Sequence, residues 1–314
     1  MKIYQYAPDS RFCRLRRWGI AAFFAGVLPC LSFSAQPAKL DVQAIGQASG
    51  ADATSTTDGV VRIGWARTDV VVTVDGMKLP PAAGLGSWAA FAPMGPDAMV
   101  MGDTVVFEDE VDAAMDAAFA HGLSVTALHN HFFHDTPRVY FMHIAGQGSP
   151  TPLASDVKAV WDAIRAVRRA NSQPAGSFGG ATPPSGRVTT ELVARIVGQP
   201  ATDTQGVAKV TIGRKGTMSG LVVGGSMGLT TWAAFSGNDT VAAMDGDFMM
   251  TAAEVQPVLH ALRKAGVHVV ALHSHMIGVQ PEFYFTHFWC TGSVQSLAQA
   301  FRTALDAQAS AKQT

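Results

Sequence analysis

The sequence predicts an α+β protein made of two tandem repeats. Each repeat is a mainly antiparallel sheet with helices on one face, and the two pack as a pseudo-dimer. Three observations carry this. The chain has 314 residues, 48% hydrophobic and 15% charged, a composition that builds cores and suggests about two domains. Shifted by 144, residues 85–148 coincide with 229–292 without a gap, with 22 identities in 64 positions. Short β-branched runs alternate with segments whose apolar residues recur every three or four positions. The formal net charge of −1 gives no global attraction to nucleic acid or an anionic membrane.

Residues 1–35 read as a signal peptide. Arg11, Arg14, Arg16 and Arg17 precede an apolar stretch, Trp18 to Leu31, followed by Ser32, Ser34 and Ala35. Its 14 residues fall short of the ~20 that span a bilayer as a helix, and small residues suit cleavage after Ser34 or Ala35. An exported protein, periplasmic or in the cell envelope, is expected, with no transmembrane segment in the mature chain. The Arg16-Arg17 pair permits a twin-arginine route as well as the general one. Cys30 ends a lipoprotein-like box, but Pro29 before it fits poorly, so lipid anchoring is not expected. Cleavage leaves Cys290 as the one cysteine of the mature chain, which excludes a disulfide framework.

The first repeat unit is expected over 36–170. Val60–Ala66 and Asp69–Val74 read as strands joined to a turn at Asp75-Gly76, and Ser87–Pro93 and Met99–Phe107 as two more. Glu108–His121 reads as a helix stopped by Gly122. Leu123–His131 and Val139–Ala145 are further strands, and Pro152–Ala170 a second helix. Asn171 to Arg187 holds 10 Gly, Pro or Ser among 17 residues, a linker composition. The second unit, 188–314, repeats the pattern, with a helix over Glu254–Ala265. Upstream traces place Ile45-Gly46-Gln47 against Val197-Gly198-Gln199, and Val60 to Ile63 against Val207 to Val210. Two such units are expected to pack sheet to sheet.

The chemistry gathers at histidines. Six of the ten obey the repeat: His129, His131 and His143 in the first unit, and His273, His275 and His287 in the second. His-x-His on a strand puts both imidazoles on one face. If the hairpin pairs His129 with His143, all three share that face; a slip of one residue turns His143 away. Three imidazoles with an open fourth position form a ligand set for zinc or copper. The competing reading is a hydrogen-bonded structural cluster. His134 extends the first cluster, whereas Gly278 stands at the second. His121, His260 and His268 have no repeat partner and read as surface or helix-end residues.

Asp103 and Asp247, each after a glycine, either orient a ligand histidine from the second shell or close an Asx turn. Glu254 stands three residues after Thr251, a capping-box spacing, and Glu110 is expected to cap its own helix likewise. Trp88 and Trp232 read as core. Arg138 faces Glu282 in the alignment, a possible pair across a pseudo-twofold. Cys290, three residues past His287, falls on the opposite strand face and reads as packing.

The segments "TALHNH", a proline, "YFMH" and Gly-x-Gly, after "MGD" and "EV", resemble the LppY/LpqO family of bacterial envelope proteins. The resemblance spans the mature chain and implies export. It supplies no activity or catalytic residues. A cupin is disfavoured, because no glutamate follows at the required spacing and a helix precedes each His-x-His strand. The expected function is an exported envelope protein binding zinc or copper. The rival is a non-catalytic binding or interaction module using the cleft between repeats for a small ligand or envelope component. No nucleophile elbow, phosphate loop or carboxylate pair points to a reaction.

Overall fold

The computed structural model describes residues 39–311, so the expected signal segment and its cleavage site lie outside the described residues. Both repeats belong to one compact unit. In chain order the first comprises α1 (Val42–Ser49), β1 (Ala53–Ser55), β2 (Val61–Ala66), β3 (Thr73–Val74), β4 (Met77–Lys78), β5 (Gly86–Met94), β6 (Asp97–Phe107), α2 (Val111–Ala120), β7 (Ser124–Asn130), β8 (Asp135–Thr136), β9 (Val139–Gly148) and α3 (Pro150–Ala170). The second comprises α4 (Thr190–Val197), β10 (Ala201–Thr204), β11 (Val207–Gly213), β12 (Gly216–Met218), β13 (Leu221–Val223), β14 (Thr230–Gly237), β15 (Ala242–Met250), α5 (Ala252–Lys264), β16 (His268–His273), β17 (Tyr284–Gly292) and α6 (Val294–Ala311). Residues 171–189 contain neither helix nor strand.

The two repeats do not pack sheet to sheet. They join edge to edge in one 12-stranded sheet of order β1-β2-β5-β6-β9-β7-β16-β17-β15-β14-β11-β10. The second half mirrors the first about a pseudo-twofold at the antiparallel pair Leu128↔Leu272, which the 144-residue shift superposes. The physical reason is that β7 and β16 would otherwise be open edges with unpaired N–H and C=O groups; the Leu128↔Leu272 bridge joins them at the centre of the seam. Side chains close the seam further. Gln256 both accepts from Val125 N–H and donates to its carbonyl. Arg263 forms a fork on Asp116 at 2.9 Å and His268 meets Asp112 at 2.5 Å.

The helices cover one face of the sheet. Trp161, Ile164, Leu128, Ile144, Leu272 and Phe301 belong to a single buried core there. Cys290 packs on the edge of this core, its thiol toward the Gly266 carbonyl, as its odd spacing implies. Among the described residues the opposite face carries no α-helix. Two small apolar clusters rest on it, one around Phe141 and Val105 and one around Phe285 and Met249. Of the expected strand Asp69–Val74 only Thr73–Val74 forms, in a small three-stranded sheet with β4 and β8; Val70 and Val72 instead plug the first of these clusters.

Trp88 and Trp232 are not core residues. Both are half-buried on the helix-free face, beneath the Arg62 guanidinium at 4.6 Å and the Lys209 ammonium at 4.2 Å. The expected Arg138–Glu282 pair does not form; Glu282 accepts from the Tyr284 hydroxyl.

Each half is pinned by a buried ion pair. Thr251 and Glu254 make the expected capping box. Burial works against the Glu254 charge, but Arg214, the Thr251 N–H and Gln308 outweigh it and hold the carboxyl below its usual range. Glu110 also takes the N–H three residues before it, of Phe107, but caps no helix through its side chain. It is fully buried and clamped by Arg67 at 2.8 and 2.9 Å and by Arg168 at 2.7 Å. Glu110→Gln removes the fully buried carboxylate shared by Arg67 and Arg168 and leaves each with only its more exposed aspartate, Asp69 or Asp109, so a loss of about 1.5–3 kcal/mol is expected in urea unfolding. Glu254→Gln should cost less, because Arg214 is 21% exposed; equal or negligible losses would contradict this.

Candidate metal centre

β7 and β9 form a hairpin, as do β16 and β17. The register differs from the expected one by two residues: His129 faces Phe141, and His143 faces Ala127. A shift of two preserves face parity, so His129 and His143 still share the helix-free face. The second hairpin repeats this, with His273 opposite Phe285 and His287 opposite Ala271. A bulge precedes Ala127 and another Ala271, re-aiming the strand just before the histidines.

His131 and His275 do not lie on the strands, which end at Asn130 and His273. They reach the same face by stacking. The His131 ring lies 3.3 Å from Phe141 at 6°, and His275 lies 3.4 Å from Phe285 at 11°. Each phenyl ring therefore acts as a floor that holds an off-strand imidazole beside the strand histidines. His134 is exposed in the following loop, where its backbone carbonyl accepts from Asp75 N–H.

The two aspartates sit in the middle of long strands, not in Asx turns. Asp103 faces His143, and Asp247 faces His287. The preceding glycines have a steric cause. A Cβ on Gly246 would stand 2.3 Å from both the Trp232 carbonyl oxygen and the Phe288 ring, and one on Gly102 2.9 Å from the Trp88 carbonyl. The repeated Gly-Asp thus sets the aspartate where neighbouring strands approach closely.

At the first centre, His129 Nε2 and His143 Nε2 stand 3.1 Å apart, and Asp103 Oδ1 lies 3.8 Å from His143 Nε2. At the second, His275 Nε2 meets Asp247 Oδ2 at 3.1 Å and His287 Nδ1 stands 4.0 Å from Oδ1. Ligand atoms of Asp247, His273 and His287 all lie within 4.8 Å of one another. Asp103, with 8% exposure, and Asp247, with 2%, are buried. Burial pushes both carboxyls above their usual range, with the surrounding imidazoles pulling the other way. Burial also lowers His131 and His275, opposed by Asp103 and Asp247. The second centre has a further carboxylate in Asp245, where the first has Met101; burial raises Asp245 against the pull of Lys209 and His287.

Sequence reasoning did not single out Asp245, Arg67 or Arg214. Arg67 and Arg214 follow the upstream register, in which Val60 meets Val207 at a shift of 147 and not 144. That change of offset hid a pair which the structure makes equivalent through Glu110 and Glu254.

Residues 43–163 and 191–307 each match the model of a single family, described as Domain of Unknown Function (DUF1259). No curated protein matches the sequence. Among solved structures, similarity is found to the trimeric bacterial microcompartment shell protein PduB, at 11% identity over 81% of this chain and 89% of that one, with a TM-score of 0.19. EtuB from Clostridium kluyveri is similar at 11% identity over 82% and 90%, TM-score 0.21, and EutL from Clostridium perfringens at 14% over 69% and 80%, TM-score 0.18. TM-scores this low carry no argument about fold or function.

Gly246→Ala must displace backbone or the Phe288 ring. A loss of about 1–3 kcal/mol is expected in chemical unfolding; an unchanged midpoint would contradict the close approach.

Proposed function

We propose that this chain, which belongs to the family described as Domain of Unknown Function (DUF1259) through both of its repeats, is an exported envelope protein of the LppY/LpqO type that holds zinc or copper in its histidine–aspartate clusters. The observation that carries the reading is a pair of orphaned donors at the second centre. His273 Nε2 and Asp247 Oδ1 are both buried and have no hydrogen-bond partner in the structure. Each such atom costs about 1–3 kcal/mol when left unsatisfied, and one cation satisfies both. Imidazole and carboxylate are donors that suit zinc and copper, and three of them leave a fourth position open.

Distances support the same reading. Two nitrogens bound to one tetrahedral ion at about 2.0–2.1 Å stand about 3.3 Å apart, close to the 3.1 Å between His129 and His143. The second group, with ligand atoms within 4.8 Å of one another, would have to draw in by up to about 1.5 Å to reach that tetrahedral spacing. Burial lowers the pKa of His131 and His275, which favours the neutral imidazole that an incoming ion needs.

Titration calorimetry of stripped protein should give two zinc or copper ions per chain. Asp247→Asn or His273→Ala should remove one, and His129→Ala the other. Affinity should fall as pH drops, because protons compete with the metal for imidazole and carboxylate. No uptake, or uptake indifferent to all three substitutions, rejects the metal reading.

Export rests on the order of basic, apolar and small residues in 1–35. The mature protein should begin near Ala35 or Gln36 by mass spectrometry, and a start at Met1 in the exported protein rejects it.

A further inference from the structure

The Gly/Pro/Ser-rich segment between the repeats is more than a connection. Residues 175–183 wall a cavity of about 420 Å³, closed on the other sides by Tyr140 of the first repeat and by Val269, Val270 and Trp289 of the second. An adjoining cavity of about 440 Å³ shares Phe178, Val270 and Trp289 and extends to Asp245 and His287. The two run from the seam to the second histidine centre. Because this segment occurs once, the pseudo-twofold gives no second copy.

The lining has a definite chemistry. Phe178 is 48% and Trp289 37% exposed, an arrangement that water disfavours and an apolar ligand relieves. Phe178 is held in place by stacking on His268 at 3.7 Å and 9°. Three carboxylates border the cavities: Glu108, Asp109 and Asp245. No lysine or arginine lines either. Asp109 Oδ2 is occupied by Arg168 and by the Ala175 N–H, while its Oδ1 is buried without a hydrogen-bond partner. Lys209, whose charge acts on Asp245, lies over the Trp232 ring.

From this lining we infer that the paired cavities bind a small organic cation with a planar apolar body, one per chain. Ring faces attract cations and carboxylates complete the charge match; an anion of the same size meets only repulsion. The site goes beyond metal binding and does not rest on it: His287 borders the cavity, a metal on it would add opposing positive charge, and the organic cation is therefore titrated into the metal-stripped chain.

The probe is benzyltrimethylammonium, titrated by calorimetry into the metal-stripped mature chain at neutral pH, with benzoate as the anionic control. Saturable binding at one per chain is expected, with no benzoate binding. Phe178→Ala and Asp245→Asn should each weaken it about tenfold, the size of one cation–π or charge contact. Ile277→Ala, at a site 93% exposed, should leave it unchanged, and circular dichroism checks that each variant is folded. Retained affinity in either cavity variant overturns the inference. So does a stoichiometry of two, equal binding of benzoate, or no saturable binding up to about 10 mM. Metal uptake is measured separately, so the two readings fail independently.

Discussion

One antiparallel pair, Leu128 against Leu272, organises the molecule. β7 and β16 are the inner edges of their half-sheets, and an unpaired edge exposes a row of backbone donors and acceptors. Joining them makes one sheet of twelve strands and leaves the short β1 and β10 as its outer edges. It also brings the two histidine hairpins onto neighbouring strands of the same face. In the register this pair sets, His129 falls opposite Ala271 and His273 opposite Ala127. The two centres therefore flank the pseudo-twofold on one face of the sheet.

The face without α-helices is the lightly covered one. The helices bury the other side in a single core. Here only two small clusters are present, and their phenyl rings, Phe141 and Phe285, serve as floors for His131 and His275. Asp103 and Asp247 sit lower, where strand neighbours and glycine-permitted approach exclude water. Burial makes these carboxylates costlier to ionise, and in the proposed reading a cation among the imidazoles offsets that cost. Without one, Asp247 Oδ1 and His273 Nε2 remain unsatisfied.

Much of this was legible in the sequence because it is local or periodic. The repeat, the α+β pattern, the helix stopped at Gly266 and the Thr251–Glu254 box depend on residues near one another. The shared face of His129 and His143 survived a register error because the error was even. What was not legible is non-local. Nothing in the periodicity of β7 says that its partner is β16 from the other repeat, so a face-to-face dimer was expected where an edge-to-edge sheet forms. His131 and His275 left their strands because a ring stack, not the pleat, sets their direction. Trp88 and Trp232 look like core by residue type, yet they lie on the face the helices leave bare. Phe178 was hidden in a linker composition that describes flexibility and says nothing of a wall.

The proposed metal reading places two ions among these side chains. Anomalous diffraction at the zinc edge from loaded crystals tests it most directly. Two peaks are predicted on the helix-free face, one between His129 and His143 and one among Asp247, His273 and His287, with bonds of about 2.0–2.2 Å. Peaks elsewhere on the molecule, with these imidazoles left unligated, would contradict it.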